Sequence, residues 1–209
     1  VTTIGLIGSG NIGQAIAALA IAHGHEVVMS NSRGPESLAD LAAELGPLAR
    51  AATPAQASAN GDVVVVTVPF KNYERVPAAP LAGKIVIDTN NYYWERDGRR
   101  PGIEDGTQSV SGLLAKHLVG ALVVKAFNNI QAAQIVSDAT PAGIAGRRAL
   151  PIAGDDPAAK TVVATLIDEF GFDVVDAGPL AEGVRFDRDT AAYGHRFDAG
   201  QLRVALGLS

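Results

Sequence analysis

Gly8-Ser9-Gly10-Asn11-Ile12-Gly13 follows a short apolar run, Ile4, Leu6 and Ile7, and opens a stretch rich in Ala, Ile and Leu that runs from Asn11 to about His23. A glycine turn of this spacing says little in isolation. Between a strand and a helix, with a further strand pattern at Glu26–Ser30, it has a physical reading. Gly8 permits a tight turn, Gly10 leaves room for a pyrophosphate against the backbone, and Gly13 lets the helix lie close to the sheet. The helix start, from Asn11 and Ile12 onward, then offers unpaired amides and the positive end of its dipole to an anion. The turn predicts a dinucleotide site.

The rest of the chain repeats the alternation. Residues 35–45 read as an amphipathic helix stopped by Gly46-Pro47. Residues 62–68 hold five valines in seven positions, a β-branched run apolar on both faces, as expected of a parallel strand between helix layers. Residues 84–88 and 122–126 have the same character. Residues 149–153 precede Asp156-Pro157, an N-cap and first-turn pair, and a helix closed by Gly171, after which Asp173–Asp176 forms a last strand. This predicts an α/β, doubly wound, mainly parallel Rossmann-type sheet with a small C-terminal extension of the same fold. Residues 1–130 form the expected nucleotide-binding domain, and residues 131–209 a smaller α/β part completing the sheet and the substrate crevice.

Composition narrows the function classes. The chain has 209 residues, 47% of them apolar and 19% charged, enough for a sizeable core. Its 17 basic and 22 acidic side chains give a net charge of −5, unsuited to wrapping nucleic acid or coating an anionic membrane. There is no cysteine, which excludes disulfides, thiolate metal sites and cysteine nucleophiles. The longest apolar stretch, residues 15–22, is too short to span a bilayer. No basic, apolar, then small-residue leader opens the sequence, so the expected location is cytoplasmic.

The end of the second strand selects the nucleotide. NAD sites place Asp or Glu there to accept from the ribose hydroxyls. Here Ser30-Asn31-Ser32-Arg33-Gly34 stands in that place, with no acid before Glu36. Arg33 can pair with a 2′-phosphate, and Asn31 and Ser32 can donate to it, so NADP(H) is the expected cofactor.

The later strand ends should surround the nicotinamide. They read Thr67-Val68-Pro69-Phe70, Thr89-Asn90-Asn91-Tyr92-Tyr93-Trp94 and Ala126-Phe127-Asn128-Asn129-Ile130. Five of the chain's eleven Phe, Tyr and Trp rings lie there, and planar walls with a few amides suit a flat conjugated partner. The two least regular stretches, 90–109 and 177–198, would leave from the same sheet edge. Acid and base groups are few. His23 and His25 belong to a surface turn and His117 to a helix end, Asp155 and Asp156 form a cap, and no spacing suggests a metal. His195 and Lys125 are the remaining candidates for proton transfer. Hydride passed between two redox coenzymes needs positioning more than an acid or base.

These segments, with Asn31 to Glu36, Val124 to Asn128, Gly154-Asp155-Asp156 and Asp176-Ala177-Gly178-Pro179-Leu180, resemble the family of NADPH:coenzyme F420 oxidoreductases, including related NADPH-dependent domains of metalloreductases. The likeness extends over nearly the whole chain. It implies 2′-phosphate contacts at Ser9, Ser32 and Arg33, with Ser37 where a further basic residue is common. It also implies ring-facing positions at Pro69, Asn128 and Ile130, and a homodimer. At Asn128 reductases of F420 have histidine, so the acceptor wall here is more neutral. The expected activity is hydride transfer between NADP(H) and a small redox acceptor, coenzyme F420 or a flavin (FMN or FAD). The alternatives are reduction of a small carbonyl or imine, and a non-catalytic NADP(H)-sensing module.

Overall fold

The valine-rich strand lies next to the N-terminal strand at the middle of the sheet. A computed structural model describes residues 1–208; Ser209, the last residue of the C-terminal part, lies outside the described residues. The strands are β1 (Thr3–Ile7), β2 (Glu26–Ser30), β3 (Ala49–Ala51), β4 (Val63–Val66), β5 (Ile85–Asp88), β6 (Leu122–Lys125), β7 (Ala149–Gly154) and β8 (Asp173–Asp176). They form one sheet of order β3-β2-β1-β4-β5-β6-β7-β8. All pairings are parallel except β6 with β7. The order turns back between β1 and β4, where an open α/β sheet has its ligand crevice.

The helices are α1 (Asn11–Ala22), α2 (Ala39–Leu45), α3 (Pro54–Asn60), α4 (Trp94–Asp97), α5 (Pro101–Glu104), α6 (Val110–His117), α7 (Ala132–Ser137), α8 (Pro157–Glu169) and α9 (Ala199–Ala205). All four residues of β4 are buried, because helices cover both faces. One core layer unites Ile4, Leu6, Ile16, Val63 and Val65 with Phe170 and Phe172, so β1 and the C-terminal strands share a single apolar layer. The other face holds Ile7, Val64, Val66, Phe70 and Leu114.

Several local expectations change. The segment 35–45 begins as a 3-10 turn, Pro35–Leu38, before α2, because Gly34 enters at φ +99° and Pro35 follows it. The strand β3 and helix α3 were not expected: β3 is three residues with an exposed Arg50, and α3 is set by a capping box between Thr53 and Gln56. The irregular stretches 90–109 and 177–198 contain α4, α5 and a 3-10 segment, Leu180–Phe186. His25 is buried, its Nδ1 accepting from the Thr2 amide and its Nε2 3.2 Å from Glu169. No described helix is long and apolar enough to cross a membrane.

Candidate active site

The glycine turn is built by close approach. Gly8 has φ +105°, and a Cβ there would lie 2.5 Å from the Thr67 carbonyl oxygen. The Thr67 hydroxyl donates to the Gly8 carbonyl at 2.7 Å, fastening the turn to the end of β4. Gly13 is buried, and a Cβ there would stand 2.4 Å from the Gly8 carbonyl, so α1 leaves the turn only because that position is bare. Gly10 differs: a Cβ there would meet no atom within 4 Å. Its bareness serves the cavity and not the fold.

That cavity, about 320 Å³, is lined by Gly8, Ser9 and Gly10 from the turn and by Asn31, Ser32 and Arg33 from the end of β2. The Asn31 Oδ1 accepts from the Arg33 amide at 2.8 Å and its Nδ2 donates to Ser37 Oγ, so this side chain shapes the turn. Ser37 Oγ also donates to the Gly34 carbonyl. Ser9 Oγ donates to the Ser30 carbonyl at 2.9 Å. Arg33 is exposed and has no carboxylate partner among the described residues. Arg75, at the end of a 3-10 turn, faces the same cavity. Sequence reasoning missed it, since nothing in a loop arginine 42 positions after Arg33 signals that the two share a wall.

Thr67, Val68 and Pro69 line this cavity and also a larger one, about 560 Å³, on the far side of the β1–β4 switch. Asn11, Ile12, Phe127, Asn128 and Ile130 line the larger one, as do Tyr93 from the expected strand end after β5 and the unforeseen Arg96 and Tyr193. Phe70 and Ala126 line neither. Phe70 is fully buried and stacked on Tyr73, with ring centroids 4.9 Å apart, and Ala126 is buried in the core. Phe127 is buried with φ +58°, an uncommon conformation for a bulky residue.

The floor of the larger cavity carries amides without partners. Asn90, Asn128 and Asn129 are at most 3% exposed. Both polar atoms of Asn90, and the Oδ1 atoms of Asn128 and Asn129, have no hydrogen bond. Such groups are costly unless something pairs with them. Asn128 Nδ2 donates to the Phe186 carbonyl at 2.8 Å and to Asn91 Oδ1 at 3.1 Å, which leaves its Oδ1 as the atom without a partner.

Charges beneath and beside this floor are paired. Lys125 is buried and ion-paired with Asp187. It lines neither of the two cavities, and the pair ties the start of the 187–198 loop to β6. Burial pushes the Asp88 carboxyl up, against the Ser111 hydroxyl that donates to it at 2.6 Å and the nearby Lys125 charge. Burial also works to raise Asp97. Hydrogen bonds from Arg96 and from the Tyr93 and Lys71 amides outweigh it and hold that carboxyl below its usual range. His195 is exposed, its ring 5.5 Å from that of Phe197, and it lines neither of the two cavities. His117 bonds the Val76 carbonyl at 2.8 Å. No cluster of metal-binding side chains occurs among the described residues.

Residues 3–92 match the family model described as "NADP oxidoreductase coenzyme F420-dependent". The fold of the Sinorhizobium meliloti protein SMa0349 superposes with a TM-score of 0.80 at 30% identity, over 94% of this chain and 95% of that one. A second solved structure, from Arthrobacter sp. FB24, carries a description that proposes an F420-dependent NADP reductase. It superposes with a TM-score of 0.72 at 25% identity, over 100% and 96% of the two chains. The chain belongs to the coenzyme F420-dependent NADP oxidoreductase family. Among curated proteins, Escherichia coli K12 YjhV is 39% identical over 69 residues, 33% of this chain, and the match spans half of YjhV's length. The region of this chain matched by the family model, residues 3–92, contains every residue lining the nucleotide-side cavity. Most of the larger cavity's wall, including Tyr93, Arg96, Asn128 and Tyr193, falls beyond it.

Proposed function

We propose that this NADP-dependent oxidoreductase passes hydride between NADP(H) and a flat redox acceptor, coenzyme F420 or a flavin such as FMN or FAD. The observation that carries the reading is the pair of cavities meeting at Thr67-Val68-Pro69, one bearing an unpaired arginine and the other unpaired amides. The residues fit a bound NADP(H). Gly8 to Gly13 supply bare backbone and the α1 amides for the pyrophosphate, Gly10 leaves its approach open, and Ser32 and Arg33 face the 2′-phosphate. The nicotinamide would then supply the hydride at Pro69, beside Ile12, Phe127 and Ile130. Residues 1–130 hold the nucleotide on this reading, and residues 131–209 complete the acceptor side. A cytoplasmic location and a homodimer belong to the same proposal, the homodimer resting on the family resemblance.

The test is NADPH oxidation with F420, FMN, FAD, a ferric chelate and a small imine in parallel, each with an acceptor-free control. Turnover with F420 or a flavin, and far less with NADH, is the expected result. Tight NADPH binding with no turnover on any acceptor would favour the sensing module, and turnover on the imine alone would favour that reductase class.

A further inference from the structure

Tyr93 and Tyr193 stand a hundred positions apart in sequence, yet both line the acceptor cavity, with their hydroxyl oxygens 2.5 Å apart. Arg96, from α4, lies over the Tyr93 ring at 4.8 Å, and Arg188, from the loop after the 3-10 segment, lies over it at the same distance. Arg96 is held by Asp97 and Arg188 by Glu95, so both guanidinium groups are fixed beside the ring. Asp189, 3.5 Å from Arg188, completes the charged groups around the pair.

We propose that Tyr93 is the proton donor that accompanies hydride delivery, with Tyr193 as the hydrogen-bond donor that positions it and holds the resulting phenolate. This rests on the hydride-transfer reading above. Either hydroxyl can donate in the resting pair, but burial first, and the bond to Tyr93 second, push the Tyr193 hydroxyl well above the usual phenol range, so Tyr193 is the member that keeps its proton when the pair gives one up. The proton given up is then that of Tyr93, whose side chain lines the cavity. A conjugated acceptor such as a flavin, a deazaflavin or a quinone gains a hydride, with two electrons, at one atom and a proton at a nitrogen or oxygen. The Tyr93 O–H bond breaks, the new N–H or O–H bond forms on the acceptor, and solvent returns a proton to Tyr93. The negative charge left on Tyr93 meanwhile accepts from Tyr193 and lies beside Arg96 and Arg188.

The experiment compares wild type, Tyr93→Phe and Tyr193→Phe with FMN, coenzyme F420 and menadione as probes. Positioned general acids contribute about 10²–10⁴-fold. Tyr93→Phe should therefore lower kcat by about a hundredfold or more, with NADPH affinity within about twofold by fluorescence titration. Tyr193→Phe should lower kcat by less and move the alkaline limb of the pH–rate profile. A second readout needs no turnover. In alkaline titration of tyrosinate absorbance on the nucleotide-free protein, Tyr93→Phe should make Tyr193 ionise at lower pH than in wild type. Turnover of Tyr93→Phe within about threefold of wild type, or an unmoved Tyr193 ionisation, overturns the assignment. A wild type that reduces none of the three probes removes the hydride-transfer reading and this inference with it.

Discussion

Arg33 is the residue on which nucleotide choice turns. It is exposed and lacks a carboxylate partner among the described residues, while its neighbour Asn31 is committed to the turn that presents it. Truncation should remove one charge-assisted contact, so Arg33→Ala is expected to weaken NADPH by about 1.5–3 kcal/mol, roughly ten- to a hundredfold, and to leave NADH nearly unchanged. Titration of both nucleotides against both proteins measures it, and an equal loss for NADH would place Arg33 away from the phosphate. Gly10 separates binding from folding. Its Cβ direction is open, so Gly10→Val should keep the thermal transition and abolish binding of both nucleotides. The same change at Gly8 would force a side chain against the Thr67 carbonyl at φ +105° and should unfold the turn itself, visible as a lowered transition temperature. The nucleotide turn was readable because its chemistry is local: three glycines and one arginine lie within 26 positions. The Tyr93–Tyr193 pair was not, because nothing in either neighbourhood indicates that the other ring will arrive.

The short helix α4 carries Tyr93 at its N-cap and Arg96 within it, and four residues cannot hold themselves in place. Asp97 does the holding. Its buried carboxylate accepts from the Tyr93 amide at 2.9 Å and from the Lys71 amide at 3.2 Å, joining α4 to the turn after Pro69. Since the folded-state pKa lies below the unfolded one, this stability is present above about pH 3.9 and lost as pH falls through the folded value. Asp97→Asn should therefore cost about 1.5–3 kcal/mol at neutral pH, with wild type and variant converging below about pH 4, as urea titrations at several pH values would show. A constant difference down to pH 3 would mean that the carboxylate charge is not what holds α4. Elements were legible in proportion to their apolar pattern. The valine run of β4 announced a buried strand, whereas β3 is partly exposed and α3 has only two buried residues, so neither left a hydrophobic signature.

For the whole molecule, the expected alternation of strands and helices became a doubly wound sheet because each predicted strand had an apolar run of its own. The reversal of β7 against β6 had no such signal, since strand direction depends on the path of the chain after α7 and not on the residues of β7. The proposed dimer is checked by light scattering. A mass about twice the 21.5 kDa of one chain at micromolar concentration is expected, and a single-chain mass would remove the assembly.

The order of the strands has one more consequence. From β4 to β8 each strand lies beside its predecessor in sequence, and β1, β2 and β3 do the same in the other direction. Only the pairing of β1 with β4 joins the two runs edge to edge, and the Thr67 amide and hydroxyl reach Ile7 and Gly8 at that join. The two cavities straddle it, so an occupant would act as a rivet across the seam between two sequentially built half-sheets. Amide hydrogen exchange at Gly8 and Thr67 should then slow on nucleotide addition more than at the outer strands, making the breathing of the seam itself a gauge of occupancy.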